Sequence, residues 1–199
     1  LAPMMWRRGD RGWIEVICGP MFSGKSEELI RRVTRAAIAR IPVQVFKPAL
    51  DDRYATEKVV SHSALSIAAQ PVASARELLM AIDDHTEVVG VDEGQFFDDE
   101  LVEVADHLAS TGMQVIVAGL DLDYLRRPFE PIPSLCGRAE YVTKTLAVCH
   151  RCGGPALYTQ RIVRSDDLVV LGATGAYEAR CRHCYLPEEG QQEELAIES

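Results

Sequence analysis

No stretch of this 199-residue sequence approaches the roughly 20 consecutive apolar residues that a membrane-spanning helix needs. No basic-plus-apolar leader opens it, so the expected compartment is the cytoplasm. Positive charge is scarce. Lys and Arg number 21 against 30 Asp and Glu, a formal net charge of −9, which excludes the broad basic footprint that nucleic-acid binding draws on. Anion binding must therefore be local. No segment recurs at a fixed period, which excludes solenoids and propellers. Cysteine is present six times, but as two CxxC pairs plus the isolated Cys18 and Cys136, a distribution that points to metal rather than to a disulfide framework. The two isolated cysteines are expected to act as small buried hydrophobes.

What is present begins with Gly19, Pro20, Met21, Phe22, Ser23, Gly24, Lys25 and Ser26, which read GxxxxGKS directly after the strand-like run Trp13–Cys18. Two glycines let successive backbone N–H groups point at a polyphosphate, Lys25 adds a cation for the β- and γ-phosphates, and the Ser26 hydroxyl can ligate Mg²⁺. Helical spacing follows at once, with Leu29, Ile30, Val33, Ala37 and Ile38 on one side. A helix is thus expected to start at the phosphates. The preceding residues, 1–12, lack periodicity and are expected to form a loose arm.

Val43–Lys47 alternates like a second strand. Asp51 and Arg53 come just after it, at the sheet edge where ligands bind in parallel α/β folds; a solvated Asp-Arg turn fits the same spacing. Val72–Ile82 has helical spacing. The apolar run Val88–Val91 then ends in Asp92 and Glu93, within DEGQFF. An acid at the end of a buried strand is placed to steady Mg²⁺ beside the phosphate loop, and Glu93 is free to act as general base. A further helix is expected over Asp98–Ser110, and a buried strand over Gln114–Ala118. That strand leads into a segment holding Tyr124, Arg126, Arg127 and Phe129, which suits either a lid over a flat ligand or a plain surface loop. Tyr141–Val148 alternates as one strand into the first CxxC.

Cys149 and Cys152, then Cys181 and Cys184, form two knuckles with 28 residues between them. Four thiolates close a tetrahedral shell, so the expected metal is a structural zinc, with Arg151, Arg180, Arg182, His150 and His183 available to offset its charge. The overall expectation is an α/β fold: a P-loop domain with a central parallel sheet over 13–147, a zinc-ribbon domain over 148–186 and a disordered acidic tail over 187–199. Two functions remain open on these residues. One is a kinase with a small-molecule acceptor. The other is a P-loop ATPase or nucleotide-dependent regulatory module whose ribbon binds a partner.

The combination of GPMFSGKS, the DxRY frame over Asp51–Tyr54, DEGQFF, GLDxD over Gly119–Asp123 and paired CxxC motifs resembles the zinc-containing, cytosolic-type thymidine kinases over roughly residues 13–185. The resemblance implies transfer of the γ-phosphate of ATP to the 5′-hydroxyl of thymidine, in nucleoside salvage for DNA synthesis, by a homotetramer inhibited by the pathway's triphosphate. It implies that Glu93 is the base, that Arg53 holds the hydroxyl and that Asp92, with Asp51, binds Mg²⁺. It places Met21, Phe96, Tyr124 and Phe129 around the nucleoside. The backbone of Leu168, Val169, Val170, Leu171 and Gly172 would read the thymine edge, with Tyr177 packing on the nucleoside. Two positions depart from the family pattern: Tyr124 stands where Phe is usual, and Ser63-Ala64 where Asp-Gly is usual.

Overall fold

The computed structural model describes residues 12–49, 58–60, 66–163 and 175–187. In chain order, strand β1 (Trp13–Cys18) leads to helix α1 (Lys25–Ile38) and then to β2 (Val43–Pro48). A short antiparallel pair follows, β3 (Lys58–Val60) with β4 (Ser66–Ala68). Next come β5 (Gln70–Val72), α2 (Ala75–Met80), β6 (Val88–Val91), α3 (Glu100–Ser110), β7 (Gln114–Gly119), α4 (Ile132–Arg138) and β8 (Tyr141–Lys144). Six of these strands form one sheet in the order β5-β2-β6-β7-β1-β8, every pairing parallel. The expected α/β fold with a central parallel sheet is the one observed.

Parallel strands need crossovers, and the helices that supply them cover both faces. On one face α2, α3 and α4 pack Leu78, Leu101, Leu108, Ile132 and Leu135 against Ile14, Val16, Val89, Val91, Val115 and Val117. On the other, α1 buries Leu29, Ile30 and Val33 against Ile17, Val45, Val88, Ile116 and Ala118. The apolar stripe of α1 outruns the sheet: Ala37 is exposed and Ile38 is 78% exposed, so its last turn overhangs. One acid interrupts the α1 face. Glu15, buried in the middle of β1, is held by Arg32 of α1 at 2.5 Å and by Trp13 Nε1 and Gln114 Nε2 at 2.7 Å. A buried carboxylate needs this full set of donors.

Three expected elements differ from those formed. The periodic segment from Val72 begins as strand β5 and becomes helix only after Ser74, whose hydroxyl caps the N–H of Glu77. The helix expected from Asp98 starts at Glu100, because the Asp98 carboxylate accepts from the Glu100 and Ala75 N–H groups. The alternation over Tyr141–Val148 is broken at Thr145, which leaves the sheet to bond the end of β1, so the segment splits into β8 and β9 (Ala147–Val148).

Beyond β8 the chain makes two small antiparallel pairs, β9 with β10 (Pro155–Ala156) and β11 (Tyr158–Arg161) with β12 (Tyr177–Arg180). Their buried apolar cluster consists of Ala147, Cys149, Ala156 and Ala179. Alanines alone bury too little surface to hold such a unit, which is why a metal cross-link is informative here.

Candidate active site

The phosphate loop is shaped by backbone that only certain residues allow. Gly19 has φ 150°, and a Cβ there would lie 2.4 Å from the Thr145 carbonyl oxygen. Phe22 and Gly24 take left-handed φ values of 64° and 79°, which turn consecutive amides toward one concave side. Gly24 caps α1 without a side-chain bond, and the first intrahelical bond runs from Glu28 N–H to the Gly24 carbonyl. The amides of Lys25, Ser26 and Glu27 therefore have no partner within the helix and, with the helix dipole, face an anion. Lys25 Nζ donates to the Pro20 carbonyl at 2.7 Å, and burial pulls its pKa below the ordinary lysine value against the attraction of Glu93 and Asp92.

Asp92 ends β6, two strands away from β1 in the sheet. The two sites meet because α1 crosses the sheet over β7 and β6, a close approach that Gly90 permits: a Cβ there would sit 3.1 Å from Val33 Cγ1. Ser26 Oγ then donates to both Asp92 carboxylate oxygens at 3.1 Å. Asp92 is only 7% exposed, and burial, followed by the charge of Glu93, pushes its pKa up to about 7. Its hard oxygen pair beside a serine hydroxyl at a phosphate cradle suits Mg²⁺. Glu93, in contrast, is exposed and left-handed at φ 51°. That strained backbone starts the turn Gly94–Phe96 and leaves Glu93 exposed one residue after buried Asp92.

On the acceptor side, Phe96 and Phe129 meet edge to face with centroids 6.1 Å apart. Tyr124 lies under the Arg161 guanidinium, 3.7 Å from ring centroid to Cζ. Arg161 is in turn paired across the strands with Tyr177. Met21 is half-buried, and its N–H donates to Thr159 Oγ1 of β11 at 3.1 Å. The segment after β7 is no plain surface loop, because its side chains dock on the cysteine-bearing unit. Arg126 stacks on Tyr158 and Tyr185, Arg127 binds Asp123 at 2.8 Å, and Tyr185 Oη donates to the Tyr124 carbonyl at 2.7 Å. Asp51, Arg53, His62, the Ser63-Ala64 pair and the run Leu168 to Gly172 lie outside the described residues.

Three side chains at the site have roles that their local sequence does not reveal, although Gln95 stands within DEGQFF. Thr145 Oγ1 sits 2.8 Å from Ser23 Oγ and donates to the Cys18 carbonyl, so it braces the loop from behind. Thr159 holds Met21 as described. Gln95, 3% exposed, bridges Glu93 and the backbone of Leu120. Each acts through tertiary contact.

The sulfurs of Cys149, Cys152, Cys181 and Cys184 all lie within 4.8 Å of one another, and those of Cys152 and Cys181 are 3.6 Å apart. Tetrahedral zinc with Zn–S bonds of about 2.3 Å separates its sulfurs by about 3.8 Å, so the donor set fits that ion. Hydrogen bonds within each knuckle, Gly153 N–H to the Cys149 carbonyl and Cys184 N–H to the Cys181 carbonyl, hold the thiols in place. Three of the five basic residues expected around the metal have partners of their own. Arg180 and His150 both meet Glu178, and Arg182 packs over Tyr158.

Comparison with known proteins agrees with this geometry. The thymidine kinase family matches residues 12–185. A thymidine kinase from Rhodothermus sp. (strain ITI 518) is 53% identical over 188 residues, covering 94% of this chain and 88% of the relative. With a phosphate cradle, a buried acid bonded to its serine, an outward glutamate and a tetrathiol cluster in one chain, and a family match spanning all of them, this protein belongs to the thymidine kinase family.

Proposed function

We infer that the protein transfers the γ-phosphate of ATP to the 5′-hydroxyl of thymidine, giving thymidine 5′-monophosphate and ADP. Deoxyuridine, which lacks only a methyl group worth about 1–3 kcal/mol in an apolar pocket, is a candidate second acceptor. The observation that carries this reading is the junction at the end of β6: Asp92 is turned inward to Ser26, and Glu93, one residue on, is turned outward. The first arrangement serves the phosphates and the second serves an acceptor.

Loop amides from Gly19 to Ser26 and the N-terminus of α1 cradle the β- and γ-phosphates, and Lys25 leaves the Pro20 carbonyl to contact them. Ser26 and Asp92, with Asp51 assisting, would hold Mg²⁺, which would supply positive charge against the phosphates. Glu93 takes the proton of the 5′-hydroxyl. That oxygen bonds to the γ-phosphorus, the bond from phosphorus to the β,γ-bridging oxygen breaks, and ADP leaves. Arg53 holds the hydroxyl. Met21, Phe96, Tyr124 and Phe129 wall the nucleoside, Tyr177 packs on it, and backbone groups of Leu168 to Gly172 read the thymine edge. Zinc on Cys149, Cys152, Cys181 and Cys184 cross-links the two ends of the segment carrying that run. Family resemblance supports a cytoplasmic homotetramer. Among the described residues, no helix is long and apolar enough to cross a membrane.

The test is a phosphoryl-transfer assay with Mg-ATP and thymidine, deoxyuridine, deoxycytidine and deoxyadenosine. Thymidine monophosphate is the expected main product. ATP hydrolysis with no phosphorylated nucleoside would favour the ATPase alternative instead. Glu93→Gln should leave ATP binding intact and slow turnover by roughly 10²-fold or more; near-normal turnover would remove Glu93 from its role.

A further inference from the structure

Glu93 is exposed, on a backbone turn of left-handed φ, with a choice of rotamers and two charged neighbours, Lys25 from α1 and Asp92 from the end of β6. A flexible carboxylate so placed is drawn toward the lysine and away from an acceptor. Something must hold it. Gln95, two residues on, is 3% exposed although it is polar, and both ends of its amide are engaged. Its Oε1 accepts the Leu120 N–H at 3.0 Å and its Nε2 donates to Glu93 Oε2 at 2.5 Å.

The orientation of that amide is dictated by chemistry. A backbone N–H can be met only by an acceptor, so the carbonyl end faces Leu120 and the NH₂ end must face Glu93. Space for it is reserved as well. Gly119 lies against the amide, and a Cβ there would come 3.0 Å from Gln95 Oε1 and 2.5 Å from Ile132 Cδ1. Gly94, beside Gln95 in the same turn, is equally crowded, with a Cβ 2.7 Å from Val117 Cγ1. The turn is therefore packed rigidly onto β7, and the glutamine is a fixed strut from that strand to the carboxylate.

We propose that Gln95 is a positioning residue for phosphoryl transfer, fixing Glu93 by one oxygen so that the other is left to accept the proton of the 5′-hydroxyl. This rests on the reading of Glu93 as general base. The Gln95 bond at Glu93 Oε2 also competes with the attraction of Lys25 for the carboxylate, which leaves the lysine for phosphate. The effect falls on kcat, because the bonds of the strut go to Glu93 and to the Leu120 backbone.

The experiment is a double-mutant cycle in the full-length, zinc-loaded enzyme, using Gln95→Met, Glu93→Gln and the double variant, with kcat and both KM values measured. Gln95→Met should lower kcat by roughly 10- to 100-fold, the loss expected of a misplaced reacting group, with KM for thymidine and for ATP within about twofold. In the Glu93→Gln background the same change should do nothing further. An equal loss in both backgrounds, or a loss expressed as raised KM, would overturn the proposal. Near-normal turnover of Glu93→Gln alone would instead remove the general-base reading beneath it. Because Gln95→Met strands the Leu120 N–H, Gln95→Glu is the companion variant. It keeps that acceptor but sets a second carboxyl against Glu93 in a buried site, so it should lower Tm and lose at least as much kcat, and wild-type kcat in Gln95→Glu would equally overturn the proposal.

Discussion

Replacing Asp92 with Asn should make the nucleotide-free protein more stable at alkaline pH while destroying its activity. The unfolded chain ionises this carboxyl near its ordinary value of 3.8, whereas the folded chain holds the proton up to about 7. The sign follows. Below pH 4 both states are protonated and no cost arises; as pH rises the unfolded state gains ionisation freely, and folding loses stability at about 1.4 kcal/mol per pH unit until the folded group ionises. At pH 8 the accumulated cost is about 4 kcal/mol, and at pH 5 it is under about 2 kcal/mol. Asn never ionises, so it escapes this cost. It still accepts one bond from Ser26 but offers an NH₂ group in place of the second oxygen, a loss of about 1.5 kcal/mol. The net gain is then about 2–3 kcal/mol at pH 8 and about zero at pH 5. For a chain of this length that is a rise in Tm of about 5–10 °C at pH 8. Thermal unfolding of both proteins at the two pH values, in buffer without Mg²⁺ or nucleotide and without chelator, measures it. A variant no more stable than wild type at pH 8, or one stabilised equally at both pH values, would refute the argument that Asp92 is held in the fold at a cost. The same variant should lose the thermal upshift that Mg-ATP gives wild type.

Cys181→Ser should release the metal, measured by atomic absorption, and raise KM for thymidine and for ATP together; unchanged metal content would show that three thiols suffice. Thr159→Val keeps the volume of the side chain but strands the Met21 N–H, a loss of about 1–2 kcal/mol. ATP affinity by titration calorimetry should fall several-fold, and unchanged affinity would make the bond incidental to nucleotide binding.

Those variants separate what the sequence makes visible from what it hides. The phosphate loop, the Asp92-Glu93 pair and the two knuckles are legible because each packs its chemistry into a few adjacent residues whose spacing reflects local geometry. The parallel sheet is legible too, since Val88–Val91 and Val115–Ala118 are apolar without alternation, as strands covered on both faces must be. Strand order is not. Nothing in Val88–Val91 says that β7 lies between it and β1. The run Tyr124 to Phe129 reads equally as lid or loop because the partners that decide it, Tyr158, Arg161 and Tyr185, are more than thirty residues away. Thr145 looks like one more position in an alternating strand. Its role depends on Gly19 leaving no room for a side chain, a fact of packing and not of spacing.

The bonds from Thr145 to Cys18 and from Met21 to Thr159 span 127 and 138 residues of chain. As the polypeptide leaves the ribosome, its nucleotide motif appears well before the two threonines that brace it. The early half of the chain can lay down strands and helices as it emerges, but its loop is finished only once the cysteine-bearing unit has been synthesised and folded. A fragment ending before Thr145 would contain every residue of GPMFSGKS and lack the means to hold its shape.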